Sequence, residues 1–302
     1  MSRGDGIYVE IAIAGSIDDV WTRTQEPALH ERWDLRFTAI EYLPRPDPGV
    51  PQRFLYATRV GFGLAIAGEG QSVGSHDGPG GVRTSALEFW SEDRRSLIRR
   101  GSGYWQYVPA PGGVTFLTWY DYKTRFGLAG RALDLVFRPL LGWATAWSFD
   151  RLRLWIERGI DPAVSLQRSL VYATARLAVA GVFLWHGLVP KLLFRHPDEA
   201  VMLTDGGADA FTAQLGVTAA GVAEVALAVL LVLCWRSRVL LAGVIVLMLA
   251  AIVLVAWFSP RFLAAAFNPV TLNGCVIALS TIALLSARDL PSASRCRRRP
   301  RP

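Results

Sequence analysis

Glu224 lies inside residues 213–234, a stretch that is otherwise uncharged. An ionised carboxylate at bilayer depth costs on the order of 2.5 kcal/mol or more, so such a residue is paired or put to use. Arg176, some way into the apolar run 170–191, is the first candidate partner. Gly216, Ala220, Glu224 and Ala228 repeat every four residues, a spacing that lets a neighbouring helix approach closely. An Arg176–Glu224 pair is the structural expectation, and a proton or headgroup site the functional one. His186, Lys191, Asn268 and Asn273 fall near one end of the apolar runs, at similar depth. Together they could grip a quinone carbonyl or an anionic headgroup, or they could serve the helix ends around Pro190 and Pro269. One histidine without a neighbouring Cys or His argues against a haem or metal centre.

The elements that position these groups are four apolar runs, at 170–191, 213–234, 239–258 and 270–287. About twenty helical residues span roughly 30 Å, the thickness of a bilayer's hydrocarbon core. Four in series predict a membrane bundle. The chain has 302 residues and a net charge of +7, with most charges in residues 1–168 and a cluster at Arg295, Arg297, Arg298, Arg299 and Arg301. The expected divisions are a soluble domain at 1–160, a linker at 161–169, the membrane domain at 170–287 and a basic cytoplasmic tail at 288–302. Such a tail suits anionic lipid, and without a reading module nucleic acid is not an expected partner. Cys234, Cys275 and Cys296 form no CxxC pair, which excludes a simple thiol redox motif. The first fifteen residues are too polar for a signal-peptide core, so the N-terminus is expected to stay in the cytosol.

Basic residues set the expected topology. Arg151, Arg153, Arg158 and Arg168 precede the first span, and Arg236 and Arg238 join the second to the third. The loop 191–212 has Lys191 and Arg195 against Asp198, Glu199, Asp205 and Asp209, and the loop before the fourth span holds only Arg261. The expectation is a multi-pass protein of a bacterial-type inner membrane with both termini cytoplasmic.

In the soluble half, a strand near 8–14 precedes a helix that Ser16 caps, with Asp18 and Asp19 in its first turn. A second short helix spans 27–33. Strand-like segments follow at 36–43, 52–62, 64–76, 83–91, 96–108 and 114–123, rich in aromatic and β-branched residues. A long closing helix, about 128–158, is expected to kink or restart near Pro139. Leu133, Phe137, Leu140, Ala144, Trp147 and Trp155 recur at helical spacing as its sheet-packing face, with contact to a membrane surface as the second reading. His30 and His76 lack evident partners and are expected at the surface. Gly61-Phe62-Gly63 lacks the third glycine of a dinucleotide loop, and no βαβ unit follows. There is no Ser-His-Asp arrangement and no HExxH.

This order, with Val9-Glu10-Ile11-Ala12-Ile13, Ser16-Ile17-Asp18-Asp19-Val20-Trp21 and Trp33, resembles the START-like (SRPBCC, polyketide cyclase) superfamily over about residues 5–160. The resemblance implies a curved sheet gripping the long helix around an elongated cavity for an apolar ligand. Trp33, Trp105, Trp119 and Trp147 are the candidate lining residues, among aromatics that also include Trp90 and Tyr120, and core packing is their alternative role. Glu69, Glu88, Arg100 and Asp121 are read as belonging to the solvated strand face. In the membrane half, Trp185-His186-Gly187-Leu188-Val189-Pro190-Lys191, Asp198-Glu199, Gly221-Val222-Ala223-Glu224 and Phe267-Asn268-Pro269-Val270-Thr271-Leu272-Asn273 resemble the DoxX-like family. That resemblance implies links to quinone-coupled oxidation or envelope stress.

The fold expectation is therefore an α+β START-like helix-grip domain followed by an all-α four-helix transmembrane bundle. The functional expectation is a cytosolic pocket that binds, senses or transfers a lipophilic small molecule at the inner leaflet, in contact with membrane lipids. The alternatives are a quinone-interacting oxidoreductase subunit and a membrane-anchored cyclase-like enzyme. No cofactor is expected outside the quinone reading, and a membrane-protein partner or a homo-oligomer is compatible with the bundle.

Overall fold

The computed structural model describes residues 6–47, 49–61 and 63–300. Phe62 and Arg301, named above, lie outside them. The chain divides into two compact units: Met1–Ser165 with Pro291–Pro302, and Leu166–Leu290.

The first unit is built on a seven-stranded antiparallel sheet in the order β1-β7-β6-β5-β4-β3-β2. Its strands are β1 (Ile7–Ile13), β2 (Ala39–Tyr42), β3 (Arg53–Gly61), β4 (Leu64–Asp77), β5 (Arg83–Trp90), β6 (Ile98–Ala110) and β7 (Gly113–Thr124). The first and last strands pair, and the two short helices α1 (Ile17–Gln25) and α2 (Pro27–Trp33) carry the chain from β1 at one edge of the sheet to β2 at the other. Ser16 caps α1, its Oγ accepting from the Asp19 N–H at 3.1 Å. Strict alternation gives the sheet its inner face. Ile7, Val9, Ile11 and Ile13 of β1 are buried alongside Val114, Phe116, Thr118, Tyr120 and Tyr122 of β7. The long helix α3 (Gly127–Arg158) closes the unit, with Phe149 stacked on Phe116 at 4.5 Å. This is a helix-grip domain.

Four expectations are corrected here. α3 runs through Pro139 without restarting, the helical turns on either side being continuous, and this proline lies on the exposed side of the helix. Leu133 and Leu140 are exposed, Phe137 packs edge-on to Tyr122 of β7, Trp147 is buried, and Trp155 lies beneath the guanidinium groups of Arg23 and Arg32 rather than on the sheet. Arg151 and Arg153 turn inward: Arg151 donates to the carbonyls of Trp33, Arg32 and Pro162, and Arg153 pairs with Asp150 and Glu157. The basic tail is not free, because residues 291–297 belong to the first unit. Arg297 and Glu10 exchange two backbone hydrogen bonds of 2.9 Å each along the open edge of β1. Ser292 N–H donates to the buried Asp150 carboxylate at 2.7 Å, and Cys296 Sγ–H donates to the Ala146 carbonyl. The backbone of the tail covers an edge that would otherwise present unpaired groups, while the Arg297, Arg298 and Arg299 side chains stay exposed.

The second unit contains most of α4 (Pro162–His186), a π-helical segment Gly187–Leu193, α5 (Pro197–Asp205), α6 (Ala210–Leu233), α7 (Arg238–Phe258) and α8 (Pro269–Ser286). Residues 162–169 are thus helical rather than a linker, and the loop 191–212 contains α5. Among the described residues, four helices are long and apolar enough to cross a membrane: Pro162–Leu193, Ala210–Leu233, Arg238–Phe258 and Pro269–Ser286. Tyr172, Val179, Phe183, Leu231, Leu241, Val244, Val276 and Ala283 form the interior. Leu233, Val239, Val246, Val253, Trp257 and Leu285 point outward, the pattern of a bundle solvated by lipid.

Candidate functional site

The HGLVPK stretch folds into the π-helical segment because Pro190 has no N–H to donate and its ring would crowd the carbonyl one turn back. The wider turn carries Gly187 against Gly221 of α6. A methyl group on Gly187 would come within 2.6 Å of the Gly221 carbonyl oxygen, and one on Gly221 within 3.0 Å of the Gly187 carbonyl oxygen. That approach of two backbones places Lys191, itself buried, beside Glu224: Nζ lies 3.1 Å from the Glu224 carboxylate and 3.3 Å from that of Glu199 on α5. His186, half-buried, is within Coulombic range of both Lys191 and Glu199. Three motif pieces separated in sequence therefore meet in one cluster. An ammonium between two carboxylates leaves one excess negative charge, enough to hold a proton or to orient a polar headgroup.

Arg176 is not part of this cluster. It is fully buried and donates to the carbonyls of Leu231, Cys234 and Ser237 at 2.7, 2.8 and 3.0 Å, and to the Tyr172 hydroxyl at 2.9 Å. It binds the C-terminal end of α6, where unpaired carbonyls and the helix dipole favour a cation. The expected Arg176–Glu224 pair is therefore replaced by Lys191–Glu224. Asn268 caps α8, its Oδ1 accepting from Thr271 N–H at 2.8 Å. Asn273 is half-buried one turn further along α8. For Asn268 the helix-end reading is the one the geometry supports.

In the first unit, Trp33 and Trp105 are buried in an aromatic core with His30 and Phe149, and Trp33 Nε1–H donates to the Arg23 carbonyl. Trp147 is buried on α3 beneath the Arg151 guanidinium. Trp119 lies on the other face of the sheet: it is opposite Tyr104, stacks on it and packs over Gly6. Trp119 is thus excluded as an inner-face residue by the two-residue period of β7, whose even positions point inward. Glu69, Glu88 and Asp121 share that outer face and pair with Arg53, Arg100 and Arg138. His30 is buried rather than exposed, held by Asp34 at 3.1 Å; His76 is exposed.

The inner face of β2–β6 has a feature absent from the expected set. Tyr56, Phe54 and Phe89 stand directly opposite Gly68, Gly70 and Gly101, and a methyl on any of these glycines would collide with the facing ring. Glycine at these positions lets each ring lie across its neighbouring strand. The three rings are only half-buried, and Phe37 joins them edge-on to Tyr56 at 5.6 Å. At the end of this floor lies one polar assembly. Asp34 is bidentate to Arg36 at 2.9 and 2.6 Å, Arg36 lies over the rings of Phe37 and Tyr120, and Tyr120 bonds Thr145 at 2.7 Å. The sequence signal was present as two inward Gly-x-Gly pairs, Gly68/Gly70 and Gly101/Gly103, with Phe54-x-Tyr56 across from the first.

Residues 180–281 match the DoxX-like family. The matched stretch contains His186, Lys191, Glu199, Glu224, Asn268 and Asn273, whereas Arg176 precedes it. YndG, an uncharacterized membrane protein of Bacillus subtilis (strain 168), is 51% identical over 172 residues, covering 56% of this chain and 64% of YndG. The chain thus spans less than two thirds of that relative. Among solved structures, the di-domain ARO/CYC StfQ from the steffimycin biosynthetic pathway superposes with a TM-score of 0.41 at 16% identity, over 51% of this chain and 52% of StfQ. A STAR-related lipid transfer protein from Xanthomonas axonopodis superposes at 0.39 and 18% identity, over 51% and 86% of the two chains. The helix-grip assignment rests on the strand order and the enclosed helix described above.

Two expected outcomes follow from these clusters. Burial opposes ionisation of Asp34, but the Arg36 charge and the His30 and Arg36 hydrogen bonds outweigh it and hold the carboxyl below its ordinary range. Its contribution to stability is complete above the unfolded carboxyl's pKa of about 4 and is lost as pH falls through the lower folded value. Asp34→Asn should therefore lower the melting temperature at neutral pH and flatten its decline in acid, read by near-UV circular dichroism; an unchanged acid slope would contradict the linkage. In the bundle, Lys191→Met strands two carboxylates and should cost about 3–5 kcal/mol, whereas Glu224→Gln leaves Lys191 paired with Glu199 and should cost less. Thermal melts in detergent compare the two, and the reverse order would refute the cluster.

Proposed function

We propose that this multi-pass membrane protein uses its helix-grip domain to hold a lipophilic small molecule, acting as a binding, sensing or transfer module beside the inner leaflet. The observation that carries the reading is the aromatic floor over Gly68, Gly70 and Gly101, apolar and half-exposed, with one charged assembly at its end. A flat apolar body would lie on Phe54, Tyr56 and Phe89, and a polar substituent would meet Arg36 or Tyr120. The test is mass spectrometry of organic extracts from the full-length protein purified in mild detergent. An apolar compound should co-purify and fall about tenfold in Tyr56→Ala/Phe89→Ala, the effect of removing two aromatic contacts. Equal retention by the variant, or no compound above a detergent blank, would overturn the reading.

A second reading concerns the bundle. The excess carboxylate at Lys191–Glu199–Glu224 favours a site for a quinone carbonyl or another polar headgroup, and a quinone lost on Glu224→Gln in the same extracts would favour it.

For orientation, we infer that both termini face the cytosol. The return of residues 291–297 to β1 requires an even number of crossings, which four spans supply. Arg158, Arg168, Arg236 and Arg238 are exposed at the span ends assigned to that side, and they outnumber Arg195 and Arg261 opposite. A C-terminal green fluorescent protein fusion should fluoresce and an alkaline phosphatase fusion should be inactive; active phosphatase would reverse the topology.

A further inference from the structure

The first half of α3 is turned inside out relative to a helix that packs on a sheet in water. Its polar side chains face inward. Asp134 accepts from the Tyr122 hydroxyl at 2.6 Å and pairs with Arg138 at 2.8 Å, and Arg138 reaches Asp121 at 2.8 Å. Its apolar side chains face outward: Leu128 is 81% exposed, Leu135 78% and Val136 65%, with Leu133, Leu140 and Trp143 exposed on the same half-helix. Within 128–143 the exposed face carries one charge, Arg131. A contiguous apolar surface of this kind marks a contact with protein or membrane.

We propose that this outward face lies in the headgroup–acyl boundary of the bilayer, making α3 an interfacial membrane anchor for the helix-grip domain. Three observations favour lipid as the occupant. Only Gly159, Ile160 and Asp161 separate α3 from the first candidate span, so the helix is tethered to a bilayer by its own chain. The exposed basic side chains of Arg131 and of Lys123, at the end of β7, complement anionic headgroups. Trp143 closes the patch, with the amphipathic side chain favoured at a membrane interface. The Tyr122–Asp134 hydrogen bond and the ion pairs of Arg138 with Asp134 and Asp121 hold the helix on β7, so the outward positions need no water-facing polar groups. The inference does not depend on any ligand in the domain.

The test is site-directed spin labelling of the full-length protein with Cys234, Cys275 and Cys296 replaced by serine, reconstituted in phosphatidylethanolamine–phosphatidylglycerol vesicles. Labels are placed at Leu135→Cys and, as a water-facing reference, at Val73→Cys on the exposed bulge of β4. Both sites are exposed, which spares the fold. The label at position 135 should show a severalfold higher ratio of collisions with dissolved oxygen to collisions with a water-soluble nickel chelate than the label at position 73. A ratio equal to that at position 73 would overturn the proposal in favour of a solvent-exposed face. A label at 135 that is immobilised and shielded from both reagents would overturn it in favour of a protein occupant, whether a helix of this chain or a second copy.

Discussion

Arg176 is the cation on which the packing at one end of the bundle depends. Among the described residues its partners are not carboxylates; its charge is spread over three backbone carbonyls at the end of α6 and in the turn to α7, with the Tyr172 hydroxyl completing the set. Taking a guanidinium out of water is tolerable only when its donors are occupied. Tyr172 in turn donates to the Trp235 carbonyl, so α4, α6 and the α6–α7 turn are held by one hydrogen-bonded assembly. The same requirement operates at the other end of the bundle, where Lys191 is met by Glu199 and Glu224. A charge at each end and an apolar interior between them fix how α4 and α6 pair.

The helix-grip domain applies the requirement differently. Asp34, Arg36 and His30 satisfy one another beneath the sheet, and Arg151 spends its donors on the carbonyls of Arg32, Trp33 and Pro162. These contacts tie the end of α2 to α3 from within. Aromatic rings laid over glycines then cover the strands farthest from α3, leaving that part of the concave face apolar and partly open. The tail seals the opposite edge at β1 through two backbone hydrogen bonds and the Asp150 carboxylate. The domain is thus closed where β1 meets the tail and open where Phe54, Tyr56 and Phe89 lie.

What the sequence by itself determined is whatever depends on local period and length. The four spans were legible because a bilayer demands long uninterrupted apolar helices, and the strands because inward residues alternate between Gly or Pro turns. Ser16 and Asn268 were legible as residues at helix starts because capping is local. What only the tertiary structure decided is which distant charges meet and which face each aromatic takes. Arg176 and Glu224 share a plausible depth, yet the Gly187–Gly221 approach gives Glu224 to Lys191 and leaves Arg176 to the carbonyls of α6. Trp105 and Trp119 look alike in sequence, but cross-strand register puts one inside and the other outside. The half-helix 128–143 has an ordinary amphipathic period, and its polar side turns toward β7 because Tyr122 on the inner face and Asp121 on the outer face supply partners for Asp134 and Arg138. Depth and period are one-dimensional properties of a chain; partner choice for a buried charge is not.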